Sequence, residues 1–312
     1  MSRHYLGIEI GGTKLQLVAG DEDARILQKI RFDIKKEKGA EGIQNQLKEG
    51  IKSLRNDFTF SAAGIGFGGP VEWQTGKICV SHQIEGWSGF DLASFINSLT
   101  SCPVYMDNDA NVAALGESVK GAGKDCPTCF YITLGSGVGG GLIYNGQIYH
   151  GANPGEVEIG HVRLDKKGRT VESSCSGWAV DKKIREAILT GSADILKNLV
   201  GAKKGGEAKF LVQAIEQDGN CAKEILNTTA DDLAFGLSHV IHLFHPEIII
   251  IGGGLSMLGE ILIQQVEQAI SQYIMKAFLP PPSIRLAVLG EDAVPVGALL
   301  LAKQCLRLQN QL

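Results

Sequence analysis

Apolar residues run along this chain in short stretches closed by glycine. The opening stretch, "YLGIEIGGTKLQLVAGD" from Tyr5, returns in outline as "FYITLGSGVGGGLIYNG" from Phe130. Each copy is a short apolar strand, a glycine-containing turn and a second apolar strand. Each ends in a polar tight turn, Gly20-Asp21 in one and Asn145-Gly146 in the other, where hairpins favour Gly, Asn and Asp. Aligned on Gly11 and Gly135, the first turn glycines, Glu9 falls opposite Thr133. After each hairpin the pattern changes to alternating strands and helices. In "AEGIQNQLKEGIKSL", Ile43, Leu47, Ile51 and Leu54 recur at helical spacing. The strand "AAGIGFGGPV" follows, and "CPVYMD" then feeds a helix in "NDANVAALGESV". The second half is more helical. "ADDLAFGLSHVIHLFHP" predicts an amphipathic helix stopped by Pro246, "EIIIIGGG" a buried strand, and "DAVPVGALLLAKQCLRL" a final helix.

A repeated opening motif implies two similar α/β lobes facing each other across a cleft. The expected lobes are residues 1–118 and 119–297, with the boundary near Glu117–Gly123; the final helix, from about 298, can fold back onto the first lobe. With 312 residues, 44% hydrophobic and 21% charged, the chain has material for a substantial core. No apolar run approaches the roughly 18 residues of a membrane span, and Glu9 interrupts the N-terminus too early for a signal peptide. The net charge of -4 argues against a nucleic-acid partner. The lysine clusters Lys35–Lys38 and Lys203–Lys204 read as solvated surface.

Seven cysteines, an odd number thinly spread, favour reduced thiols in a cytoplasmic compartment. Cys126 and Cys129 form a C-x-x-C, but it leads into a strand and has no second ligand pair, so a structural role is expected. His239, His242 and His245 recur every third residue; the angle they sweep is too wide for one small ion, which points to packing or surface.

Chemistry is suggested by three glycine turns: "EIGGTK" (Glu9–Lys14), "TLGSGVGGG" (Thr133–Gly141) and "IIGGGLS" (Ile250–Ser256). Without side chains, backbone N–H groups can close on phosphate oxygens. None of the three fits the Walker pattern or the dinucleotide G-x-G-x-x-G, because the first two lead into strands. The candidate base lies in "YMDNDANVAALGE", where Asp107 and Asp109 follow a strand and open a helix. Helix capping accounts for one of the two; the other sits where a proton acceptor for an alcohol would be needed.

Taken in order, these segments resemble the ROK family (repressors, uncharacterised reading frames and sugar kinases) over nearly the whole chain. "GIEIGGTK" is similar to its first phosphate motif, "GIGFGGPV" to its connecting strand and "DNDANVAALGE" to its catalytic segment. "TLGSGVGGGLI" is similar to its second phosphate motif, "VEIGH" to its sugar-binding turn and "IIIIGGG" to its adenosine loop. The resemblance implies a two-lobed actin-like, hexokinase-like ATPase fold with duplicated ribonuclease H-like lobes. It implies Asp109 as general base, with Asn108, Glu158, His161 and Glu172 on sugar hydroxyls and Gly69 near the substrate. It places ATP and Mg²⁺ at Glu9, Gly11, Gly12, Thr13, Lys14, Thr133, Gly135, Gly137, Gly252, Gly253 and Gly254, and it suggests a homodimer.

Two departures stand out. The first phosphate motif usually begins with Asp, and here it begins with Glu9, so a shifted metal or weaker nucleotide affinity is expected. Many members also carry C-x-C-G-x-x-G-C after the sugar-binding histidine and bind a structural zinc there. In "EVEIGHVRLDKKGRTVESSCSGW" that interval has no cysteine, and Cys175 lies beyond Glu172; no zinc is expected. Glu156 and Cys175 then serve structure, and packing around residues such as Trp178 must order the turn. The implied activity is ATP-dependent phosphorylation of a hexose, first of all glucose at its 6-hydroxyl. Fructose, N-acetylmannosamine and other hexoses or amino sugars are alternatives, and Gln83 stands where relatives often carry Asn. A reading from another class is a non-catalytic sugar-binding regulator. A DNA-binding repressor is not expected, since only eight residues precede Glu9.

Overall fold

The structure is a computed structural model and describes residues 3–80, 84–152, 155, 157–202 and 204–309. Gln83, Glu156 and Lys203 lie outside the described residues. In chain order the first elements are β1 (His4–Ile10), β2 (Lys14–Gly20), β3 (Ile26–Asp33), α1 (Gly39–Leu54), β4 (Phe60–Phe67), the short strands β5 (Val71–Glu72) and β6 (Lys77–Ile78), α2 (Leu92–Thr100), β7 (Val104–Asn108) and α3 (Asp109–Lys120). The repeat opens with β8 (Thr128–Leu134), β9 (Val138–Tyr144) and β10 (Gln147–Ile148). There follow α4 (Val171–Cys175), α5 (Gly177–Leu189), α6 (Asp194–Val200), α7 (Leu211–Glu216), α8 (Asn220–Phe244), β11 (Ile248–Gly252), α9 (Glu260–Ile270), β12 (Ser283–Leu286) and α10 (Ala293–Gln309).

The duplication seen in the sequence is a duplication of topology. One sheet has the order β3-β2-β1-β4-β7 and the other β10-β9-β8-β11-β12. In the first, β1 is antiparallel to β2 and parallel to β4, which is parallel to β7. In the second, β11 lies parallel to both β8 and β12. The chain divides into two compact units, one of Met1–Asp125, Gly141–Glu156 and Leu289–Leu312, the other of Cys126–Gly140 and Val157–Val288. Among the described residues no helix is long and apolar enough to cross a membrane.

The helical stripe of α1 is buried throughout: Ile43, Leu47, Ile51 and Leu54 are at most 2% exposed. Ile248 to Ile251 are buried on both faces of β11, the mark of an interior parallel strand. Helix α8 begins at Asn220, well before the stretch that predicted it, because Ala222, Ile225 and Leu226 continue its buried stripe. It ends on His245 in the left-handed conformation, one residue before Pro246. The three histidines each have their own partner. His239 meets Phe235 edge-on, His242 Nε2 accepts from the Met275 N–H at 3.1 Å, and His245 stacks on Phe278. Cys129 is buried and its thiol points to the Cys126 carbonyl at 3.3 Å.

Helix α10 starts already at Ala293, because Pro295 falls in its first turn, where the missing N–H costs nothing. It packs on β1, β4 and α3 at backbone distance. A Cβ on Gly297 would lie 1.8 Å from the Val112 carbonyl oxygen, and one on Gly64 would lie 2.0 Å from that of Ala298. No side chain fits either gap, and backbone on both sides leaves little room to yield. Gly297→Ala is therefore expected to destabilise the protein by about 3 kcal/mol, the upper range for overpacking, read as a lowered midpoint in urea unfolding with unchanged slope.

Candidate active site

In the unit that opens the chain, the parallel pairing of β1 with β4 and of β4 with β7 brings three strand ends to one sheet edge. Glu9 and Ile10 arrive there with Gly66 and Phe67, and with Asp107 and Asn108. Ligand sites of parallel sheets gather at such carboxyl ends. The Gly11–Lys14 turn is closed by the Gly11 N–H on the Lys14 carbonyl at 3.0 Å, and Thr13 is exposed at its tip. Glu9 is only 6% exposed. Its Oε1 lies 3.1 Å from Lys14 Nζ, and its Oε2 accepts from Gln16 Nε2 at 2.6 Å. Burial nonetheless holds its carboxyl above the ordinary carboxylate range, because Lys14 and Gln16 offset only part of the lost hydration.

Asp109 is the first residue of α3. The structure corrects the expectation that one aspartate caps this helix: the cap is Asn108, whose Oδ1 accepts from the Ala110 N–H at 2.9 Å. Asn108 Nδ2 donates to the Gly69 carbonyl at 3.1 Å, which ties the loop after β4 to the start of α3. A Cβ on Gly68 would be 3.2 Å from Asp109 Oδ2, so that loop passes directly along the carboxylate. Burial, and then the negative charge of Glu9, push the Asp109 carboxyl up to about 7.

In the other unit, β8 and β11 are paired so that Thr133 and Gly252 are register partners. The Thr133–Gly137 turn and the Gly252–Gly254 loop therefore leave adjacent strands at the same end. Gly253 has φ +81°, and a Cβ there would meet the Leu134 backbone nitrogen and carbonyl carbon at 2.6 Å; only glycine permits that approach. The Gly135 carbonyl accepts the Gly177 N–H at 2.7 Å. Gly177 begins α5, so the positive end of that helix dipole stands against the turn, as an anion site requires. Glu172 Oε2 accepts from the Val138 N–H at 2.9 Å and so grips the same turn.

Glu158 occupies the apex of an inverse γ-turn, with φ -75° and ψ 61° and the Ile159 N–H on the Val157 carbonyl at 2.8 Å. Val157 just before it has φ 56°, a conformation that β-branched residues seldom adopt. Such backbone persists only where its surroundings hold it. Here Ile159 and Gly160 are buried against β9, while Glu158 and His161 stay exposed. One unit thus assembles Glu9, Lys14, Gly69, Asn108 and Asp109. The other assembles the two glycine loops with Glu172, and carries the Glu158–His161 turn on β9.

A model of the ROK family matches residues 5–305. This chain belongs to the ROK family. Glucokinase of Thermotoga maritima is 30% identical, over 96% of this chain and 97% of the relative. The crystal structure of a ROK glucokinase from Streptomyces griseus in complex with glucose and AMPPNP superposes with a TM-score of 0.82 at 29% identity, covering 96% of this chain and 99% of that one. A ROK transcriptional regulator, a homologue of the E. coli MLC protein, reaches a TM-score of 0.84 at 21% identity, covering 97% of this chain and 78% of that one, a likeness of fold alone. The fold is the two-lobed actin-like, hexokinase-like one, and the glucokinase relatives make this ROK chain an ATP-dependent phosphotransferase of the hexokinase type.

The family's structural zinc does not fit the residues of this ROK protein. A cysteine binds zinc as its thiolate, whereas burial pushes the Cys175 thiol up to about 12. Among the described residues no three His, Cys, Asp or Glu side chains group to hold a metal ion. Trp178 does not order the turn either. It is 69% exposed, because it follows the first residue of α5 on that helix's solvent side. Two other devices hold the segment. Thr170 and Ser173 form a reciprocal capping box at the start of α4. Arg169 places Nη1 and Nη2 on the two oxygens of Asp232 at 3.1 and 3.2 Å, and Nε on Asp165 at 3.0 Å. Asp232 lies on α8, too distant in sequence for any local pattern to announce the pair. Since Arg169 is about half exposed, its removal as Arg169→Ala is expected to cost about 1 kcal/mol, a Tm lower by about 2–4 °C. The loss should shrink in high salt, and EDTA should leave the wild-type Tm where it is; differential scanning fluorimetry reads both.

Proposed function

We propose that this ROK protein transfers the γ-phosphate of ATP to a hydroxyl of a free hexose, with glucose and its 6-hydroxyl the first candidate and Asp109 the general base. The observation that carries the reading is Asp109 itself: a carboxylate at a strand-to-helix junction, walled by the connecting loop, with its pKa raised to about 7 beside Glu9. A base poised near neutral pH takes a hydroxyl proton more effectively than an ordinary aspartate. Asn108 keeps one amide N–H and one lone pair beyond its bonds to Gly69 and Ala110, enough to hold a neighbouring hydroxyl. Glu158, His161 and Glu172 would receive further hydroxyls, and a site built on such bonds rejects sugars that lack them.

The residues offered for ATP phosphates are Gly11, Gly12, Thr13 and Lys14 in the first unit's glycine turn, and Thr133, Gly135, Gly137 and Gly252–Gly254 in the second unit's loops. Mg²⁺ suits a site with one or two carboxylates plus phosphate, and Glu9 and Asp109, whose pKa values are raised first of all by burial, are two such carboxylates in this unit. The ion arriving with ATP would neutralise charge on the transferring phosphoryl group. The protein's own part is to hold the hydroxyl, accept its proton at Asp109 and surround the phosphates with backbone donors.

A coupled ADP-release assay across a panel of glucose, mannose, fructose, glucosamine and N-acetylmannosamine tests the reading, with glucose expected to give the highest kcat/KM. Asp109→Asn is expected to lower kcat by about 100- to 10,000-fold while leaving calorimetric sugar binding in place; near-normal turnover would remove Asp109 as the base.

Because the base must be ionised, wild-type kcat/KM should fall about tenfold per pH unit below about 7. The same shift bears on stability. Folding raises this pKa from 3.8 to about 7, so the ionised form weakens the fold, with a cost that grows across that window and is complete above it. Asp109→Asn should therefore raise Tm at pH 8 and lose that advantage towards pH 4.

A further inference from the structure

His150 belongs to none of the phosphate or sugar motifs, yet it touches the segment that carries the proposed base. Its Nε2 lies 2.6 Å from Asp107 Oδ2. Asp107 is 2% exposed, and its other oxygen accepts from the Asn108 backbone N–H at 2.7 Å and from Asn111 Nδ2 at 2.9 Å. Asn108 in turn caps α3 and holds the Gly69 carbonyl. Trp73, between β5 and β6, stacks on the imidazole with ring centroids 4.0 Å apart and 17° between planes. Three segments distant in sequence therefore converge on one buried carboxylate that is next but one to Asp109.

A buried carboxylate needs a donor for each oxygen, because an unpaired one is costly. Backbone and Asn111 serve Oδ1 of Asp107, and His150 serves Oδ2. Among the described residues a further titratable group near Asp107 is Cys305 of α10, whose thiol is pushed up to about 11 by burial and then by Asp107 itself, so it stays neutral there. Without the imidazole, Oδ2 of Asp107 loses its donor and the carboxylate turns to find another. That turn disturbs the bond from the Asn108 N–H, and with it the residue at which α3 begins and the direction in which Asp109 points.

The geometry points to His150 as a positioning residue for phosphoryl transfer: through Asp107 it sets Asn108 and the start of the helix that carries Asp109, while Trp73 holds the imidazole in place. This rests on the reading of Asp109 as the base. A misplacement of a catalytic group by a fraction of an ångström is enough to lose rate, so the device acts on kcat more than on nucleotide binding.

The test is steady-state kinetics with thermal unfolding on His150→Ala, His150→Gln and Trp73→Leu, alone and with Asp109→Asn. His150→Ala is expected to lower kcat about tenfold or more with KM for ATP within about twofold. His150→Gln can donate to Asp107 from nearly the same place and should recover activity to within about threefold of wild type. In the Asp109→Asn background, His150→Ala should change the residual turnover by less than about twofold, since the group it positions is gone. A normal kcat in folded His150→Ala overturns the proposal, as does His150→Gln damaged equally, or the full loss persisting on Asp109→Asn. Should His150→Ala fail to fold, Trp73→Leu takes its place, with about a threefold loss of kcat expected and an unchanged kcat overturning the assignment. A wild-type chain that releases no sugar-dependent ADP sinks the kinase reading and this proposal with it; active wild type with indifferent variants sinks this proposal alone.

Discussion

Burying a carboxylate removes it from water, and burying two near each other adds their repulsion to that cost. The first unit of this ROK protein is arranged around such a pair, the buried Glu9 and the half-buried Asp109. Lys14 and Gln16 are committed to Glu9. Asp109 receives less: backbone N–H groups at the start of α3 and the partial charge of Lys14. The remainder is met by structure that keeps Asp109 where it is, since a carboxylate with a raised pKa would otherwise swing out to solvent. The cap at Asn108, the loop at Gly68 and Gly69, and the close seating of α10 behind β4 and α3 all bear on that one position.

The second unit solves a different problem, the ordering of the long polar segment from His161 to Cys175. Here an arginine fork and a capping box do the work. Zinc closes a loop by four strong bonds, whereas an arginine between two aspartates holds through charge-assisted hydrogen bonds that solvent and salt weaken. The segment from His161 to Cys175 is accordingly held from within, at Arg169 and Thr170, and by the burial of Leu164 and Val171. Glu172 then joins this segment to the phosphate turn through the Val138 N–H. The residues proposed for sugar and for nucleotide in this unit thus share one support.

Much of the fold was legible along the chain because its signals are local. The strand–glycine–strand openings are apolar runs with turn chemistry attached, and both appear as neighbouring strands, β1 with β2 and β8 with β9. The stripe of α1 and the isoleucine run of β11 are likewise set by spacing alone. Where the reading slipped, a neighbour had overridden a local rule. Asn108 took the cap although two aspartates flank it, because its amide can satisfy Ala110 and Gly69 at once. Trp178 is left in solvent although tryptophan is an obvious packing residue, because α5 turns it outward.

The sequence by itself determined the duplicated α/β pattern, the order of the glycine turns and the identity of the residues available for chemistry. These follow from side-chain period, backbone freedom at glycine and ionisable groups, all of which are properties of short segments. Only the tertiary structure decided which carboxylate is strained, what pairs with Glu9, that Arg169 reaches Asp232, and that His150 and Trp73 close on Asp107. Apart from Lys14 and Gln16 beside Glu9, those contacts join residues tens of positions apart, and their energies depend on burial, which no local pattern reports. A pKa near 7 at Asp109 exists only once folding has put Glu9 beside it and taken the water away.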